Sequence, residues 1–140
     1  MSNEDIIAQY LRTLGIPTTP FADIPGTAGI RRASATHVGL NMDIQIVSES
    51  ILIAQFCIGF LPKGKTVAPI LRHMISANAS MIGAYYCIIG EDAIHLRAAR
   101  KLEGMTMPQL KTLLDDLCSL YWSNAQNVVQ TFQLPLQAGG

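Results

Sequence analysis

The chain has 140 residues, 49% of them apolar, with charged side chains at 14% and a formal net charge of zero. That length suits one domain with a real core, and the charge content lies well below the roughly 25% of an average soluble protein. Such a balance gives no electrostatic case for nucleic acid or an anionic membrane. With few charges to cover a monomer's surface, it points toward a homo-oligomer.

The start, Met1 to Asp5, is polar and acidic and shows no leader. Ser2 caps a first helix with Ile6, Ile7, Tyr10, Leu11 and Leu14 on its apolar face, stopped by Gly15 and Pro17. A Pro-, Gly- and Thr-rich segment, 17–36, follows and reads as a long loop with room for a short edge strand around Ile30 to Ser34. From His37 to Val47 apolar and polar residues alternate, with Val38, Leu40, Met42, Ile44 and Ile46 on one face: a strand with one wet side. Ser48-Glu49-Ser50 turns the chain into Ile51 to Leu61, apolar on both faces as in a central strand. That run is interrupted by Gln55 and Gly59 and is too short to span a bilayer.

The stripe Val67, Ile70, Leu71, Met74, Ile75 and Asn78 predicts a middle helix with Pro69 in its first turn. Next comes a hairpin, Gly83 to Ile89 turned through Gly90-Glu91-Asp92 into Ala93 to Ala98. Thr106 and Gln109 form a capping box for a last helix running to about Phe132, roughly 40 Å long at 1.5 Å per residue. Pro135 ends it, and 135–140 reads as a flexible tail. The fold class is α+β: one domain over 1–134, a four- to five-stranded antiparallel sheet with helices, in the order α-β-β-α-β-β-α.

Chemistry is sparse. His37, His73 and His95 have no ligand partner at metal spacing, and Gly26 to Gly29 is neither a P-loop nor a dinucleotide fingerprint. Arg97, Arg100 and Lys101 read as a solvated rim, and Glu91-Asp92 as turn residues pointing apart. Cys57, Cys87 and Cys118 are widely spaced and sit in apolar runs, as reduced core thiols of a cytoplasmic protein do. No catalytic residue, cofactor or metal site is expected. Asn78 interrupts an apolar stripe just before the chain reverses. It serves either the helix end and the turn backbone or a partner. Tyr85 and Tyr86 are neighbours on one strand, so only one can face the helices. Trp122 lies off the stripe of the last helix and raises the same question.

Ile70-Leu71 with Asn78 near the helix end, Gly83-Ala84 before Tyr85-Tyr86-Cys87-Ile88, Ile94-His95-Leu96 after the polar turn, then Leu102-Glu103-Gly104-Met105 and a long helix carrying Tyr121-Trp122 and Ala125 resemble two related groups. One is the YbjN family of bacterial regulators; the other is the class I type III secretion chaperones. The resemblance covers about two thirds of the chain. It implies a non-enzymatic homodimer that binds a polypeptide, since the secretion chaperones dimerise through the middle helix and adjacent strand and hold clients in extended form. The chain departs from the chaperones in being neutral rather than acidic and in its diluted early strands, which favours a YbjN-like regulator or scaffold.

On this reading Ile70, Met74, Asn78, Tyr85 and Cys87 form a dimer interface. Ile7, Tyr10, Leu11, Tyr86 and Trp122 meet a protein or peptide client, through a sheet edge or an apolar groove. Two other readings stand beside it. One is a small-molecule sensor or enzyme with a pocket between the sheet and the 17–36 loop; the other is a structural subunit of a larger assembly.

Overall fold

In the computed structural model, which describes residues 1–137, the elements follow in the order α1 (Asn3–Thr13), β1 (Ala22–Asp23), β2 (Ile30–His37), β3 (Leu40–Val47), β4 (Ile51–Phe60), α2 (Val67–Ser80), β5 (Tyr85–Ile89), β6 (Ala93–Lys101), α3 (Met107–Leu120), a π-helical turn (Tyr121–Ala125) and α4 (Gln126–Phe132). The strands form one antiparallel sheet in the order β1-β2-β3-β4-β6-β5. The chain thus leaves β4, crosses through α2 to the far edge, and returns as β6 into the gap. The fold is α+β as expected, with six strands in place of four or five.

The difference lies in the segment 17–36, expected as loop with room for a short edge strand around Ile30 to Ser34. It contains β1 and all but the last residue of β2, which pairs with β3 over its full length from Ile30↔Val47 to His37↔Leu40. The inward residues of β2 are Ala33 and Ala35. Alanine is too small to make an apolar alternation stand out, so register with β3 rather than local hydrophobicity determines this strand.

A second correction concerns Val38. It is not an inward strand residue but lies 58% exposed in the β2–β3 turn, where Val38 has φ 51° and Gly39 φ 76°. Two positive φ values match a tight hairpin turn to strand twist, a geometry that suits Asn-Gly and strains a β-branched residue.

One core runs through the molecule. Ile7 and Leu11 of α1, Ile70 and Met74 of α2, and Leu110, Leu114 and Leu117 of α3 meet Met42, Ile44, Leu52, Ala54, Ile94 and Leu96 of the sheet. The N-caps read from sequence are made: Asp5 N–H donates to Ser2 Oγ, and Thr106 and Gln109 form their reciprocal box. The middle-helix stripe is narrower than its spacing suggests, because Ile75 is exposed. The hairpin tip docks on the last helix, with His37 Nε2 2.7 Å from Asp115 Oδ1.

Past the last helix the chain stays attached to the sheet as far as Pro135. Gln133 adopts a left-handed conformation that stops α4. Leu134 is then buried, and Phe60 N–H donates to the Pro135 carbonyl at 2.8 Å. The bulge in β4 between Cys57 and Gly59 accommodates this strap. A Cβ on Gly59 would lie 3.1 Å from both Leu134 Cβ and the Pro135 oxygen. The remaining residues of the expected tail, 138–140, lie outside the described residues.

Two stability outcomes follow. Val38→Asn relieves the turn without touching the core and raises stability by about 1 kcal/mol. Leu114→Ala opens a cavity in the core and lowers it by roughly 2–5 kcal/mol. Urea unfolding of both variants against the parent chain checks the signs and the contrast in size.

Candidate functional site

Ile70, Met74 and Asn78 stand four residues apart on α2 and so share one face. The first two enter the core, and the third arrives beside the outermost strand. There the Asn78 amide makes two bonds to one residue of β5. Its Nδ2 donates to the Tyr86 carbonyl at 3.0 Å, and the Tyr86 N–H donates to its Oδ1 at 2.6 Å. Of the two readings of Asn78, the bond to backbone beyond the helix is the one present in the structure. Each such bond contributes about 0.5–1.5 kcal/mol net.

Tyr86 is 3% exposed, and its hydroxyl donates to Asn124 Oδ1 on the π-helical turn. Burial pushes the phenol up to about 12, so it stays a neutral donor. A π turn widens the helix by one residue, a feature frequent at functional sites. Asn78, Tyr86 and Asn124 therefore tie the edge helix, the edge strand and the long helix into one polar chain. Asn124 carried no signal in the sequence, because a π turn leaves no motif.

The sheet face opposite the core carries its own network. Arg32 Nε donates to Asp43 Oδ1 at 2.6 Å, Gln45 and Gln55 donate to Asp43 Oδ2 at 2.8 and 2.9 Å, and Arg97 Nε donates to Gln55 Oε1 at 2.8 Å. Gln55 is consequently buried although no helix element supplies its partners. Beside this row lies another, in which Cys87 pairs with His95 and His95 with Cys57. His95 Nδ1 is buried without a hydrogen-bond partner. Burial lowers the His95 pKa most; the Ala93 backbone pulls it up, and Arg97 pushes it down further against a weaker upward pull from Asp43. Burial raises the Cys87 thiol, and burial followed by Asp115 raises Cys118 to about 11, so neither is an activated nucleophile.

The residues expected at interfaces divide sharply. Ile70, Met74, Ile7, Leu11 and Tyr86 lie in the core of a single chain, because each faces the sheet's apolar side or the helices behind it. In the single chain they support a surface rather than present one. Tyr85 faces outward at 38% exposure and Trp122 at 45%; Tyr10, Asn78 and Cys87 are half-buried. The exposed apolar side chains of this region that sequence reasoning missed are Ile75, 70% exposed, and Ile82, 94% exposed. Ile75 was hidden by its fit to the helical stripe.

A groove of about 590 Å³ runs between α1 and residues 15–21, lined by Ala8, Arg12, Pro17, Thr18, Pro20 and Phe21, with Glu4 and Thr19. Its polar groups are engaged elsewhere: Glu4 pairs with Arg31 at 2.7 Å, Thr18 Oγ1 donates to the Ile16 carbonyl, and Thr19 Oγ1 accepts from Ser34 N–H. Arg12 alone of the charged lining has no ion-pair partner among the described residues. Among the described residues no group of three or more His, Cys, Asp or Glu is arranged to hold a metal ion, and no helix is long and apolar enough to cross a membrane.

No family model matches the chain. A curated protein, the ribosomal RNA small subunit methyltransferase C of Photobacterium profundum, is 30% identical over 98 residues, covering 70% of this chain. The chain spans 27% of that protein's length. Three solved structures share the fold over nearly the whole chain. An uncharacterized protein from Methanothermobacter thermautotrophicus gives a TM-score of 0.61 at 9% identity, covering 94% of this chain and 96% of its own. YbjN from E. coli, suggested to be a transcription regulator, gives 0.61 at 13% identity, covering 95% of both chains. The Yersinia pestis type III secretion chaperone SycH, in complex with a stable fragment of YscM2, gives 0.55 at 14% identity, covering 91% of this chain and 99% of its own. The fold is thus the YbjN-like, secretion-chaperone-like fold that the hairpin region resembled.

The polar chain and the half-buried His95 make separate predictions. Asn124→Ala leaves the Tyr86 hydroxyl unsatisfied and costs about 1–3 kcal/mol in urea unfolding. For His95, the folded pKa lies below the ordinary 6.5, so the unfolded chain takes up a proton first. The stabilisation from neutral His95 is therefore complete above that value and is lost as pH falls below it. Unfolding midpoints at mildly acidic and mildly alkaline pH differ more for the parent chain than for His95→Gln.

Proposed function

We propose that this chain is a non-enzymatic protein-binding domain, a YbjN-like regulator or chaperone-like scaffold that holds a polypeptide partner as a homodimer. The observation that carries this reading is the shared fold with SycH, a chaperone seen with a fragment of another protein, along 91% of the chain. The homodimer pairs through the α2–β5 side, where Ile75, Ile82 and Tyr85 put apolar surface into solvent and Asn78 and Cys87 lie at its margin. The client lies along α1 and residues 15–21, whose groove offers Ala8, two prolines and Phe21 to the side chains of an extended peptide. Tyr10 and Trp122 are further partner-facing aromatics. Three free cysteines suit a cytoplasmic setting.

The small-molecule alternative has weaker support. The groove lies between α1 and the segment after it rather than over the sheet, and most of its polar groups are occupied by the fold itself.

Sedimentation of the parent chain at micromolar concentration is expected to give a dimer, and Ile75→Glu with Ile82→Glu a monomer of unchanged circular dichroism. A parent chain that stays monomeric removes the homodimer. Affinity capture with crosslinking from the source cells identifies the client. Ala8→Glu, at the groove, then weakens the purified complex by roughly tenfold, about 1.4 kcal/mol. Equal affinity of parent and variant moves the client site elsewhere.

A further inference from the structure

β5 is the outermost strand on its side of the sheet. The opposite side is closed by the chain itself: beyond β2 lie β1 and residues 17–19, with Thr19 N–H donating to Ser34 O at 2.8 Å and Thr36 N–H to Pro17 O at 2.9 Å. On an antiparallel edge strand alternate residues turn both backbone groups outward. In β5 these are Tyr86, which meets Asn78, and two residues on Ile88, for which no partner outside the ladder occurs among the described residues.

We propose that Asn78 is an edge guard, a side chain that takes the place of a neighbouring strand on β5 and so blocks edge-to-edge pairing with a second copy of this chain. A carboxamide presents one acceptor and one donor, the same pair that a backbone residue of an added strand would bring to Tyr86. With that pair taken and α2 standing behind it, an incoming strand can reach only Ile88. The occupant it excludes follows from the strand itself. Tyr85-Tyr86-Cys87-Ile88-Ile89 has five uncharged residues of high β-propensity and no proline. Two such identical segments can pair antiparallel about a two-fold axis. Exposed edges of this kind are a known hazard that folds guard against. Asn78 also lies at the margin of the side-chain dimer proposed above, so the guard is read from species larger than the parent chain's own size.

Residue-resolved hydrogen exchange on the parent chain is the first test. The Tyr86 amide is expected to exchange at least about tenfold more slowly than the Ile88 amide. Equal rates overturn the guard. Asn78→Ala is then expected to lose the Tyr86 protection and to form larger, concentration-dependent species in sedimentation. Asn124→Ala, which loosens the same strand while leaving its edge closed, keeps the parent's distribution. Asn78→Ala with Ile88→Pro, which removes the remaining outward N–H, returns to it. The proposal fails if Asn78→Ala keeps the parent's size at every concentration. It fails equally if Asn124→Ala assembles as strongly, because simple destabilisation would then explain the assembly.

Discussion

A single sheet covered by helices on one face leaves every strand with two different environments, and the rest of this molecule follows from how each is satisfied. The covered face is apolar at alternate positions, and α1, α2 and the long last helix bring their buried residues to it as one core. The open face cannot be left to bare charges at its centre. Asp43 therefore gathers Arg32, Gln45 and Gln55, and Arg97 joins through Gln55. Mutual hydrogen bonding lets a glutamine be buried there at no net loss of polar contacts.

The same economy governs the sheet's margins. One is sealed by backbone, from β1 and residues 17–19, and the other by a single amide from α2. The amide solution couples three elements, because the residue it binds also reaches the π turn through its hydroxyl. A helix bulge, an edge strand and a helix terminus thus share one tyrosine. The placement explains why Tyr86 is inside and Tyr85 outside. The strand's alternation permits either arrangement, and Asn124 supplies a partner for a phenol only on the inner side.

Much of the architecture was legible before any coordinates. The Ser2 cap, the Thr106–Gln109 box, the turn at Gly90-Glu91-Asp92 and the central strand at Ile51 were all readable, since each depends on neighbours in sequence. Three features were not. The full extent of β2 was hidden, beyond a short strand around Ile30 to Ser34, because its inward residues are alanines and its pairing partner lies across a turn. Val38 looked like a strand residue because its strain comes from hairpin geometry rather than from its chemistry. Ile70, Met74, Ile7 and Leu11 fitted an interface and a core equally well. Apolar spacing says that a face is buried, not by what.

The sequence by itself determined the class of this protein: an α+β chain with a readable order of helices and hairpins and little charge. Local rules of capping, periodicity and turn chemistry act over a few residues and leave their marks there. The tertiary structure alone decided which apolar faces are consumed inside one chain, that Ile75, Ile82 and Tyr85 remain outside, and that Asn78 closes an edge. Those outcomes depend on how whole elements pack: Asn78 and Tyr86 are only eight residues apart, but the sheet order puts β5 at the edge where α2 can reach it, and Asn124 comes from 38 residues further on.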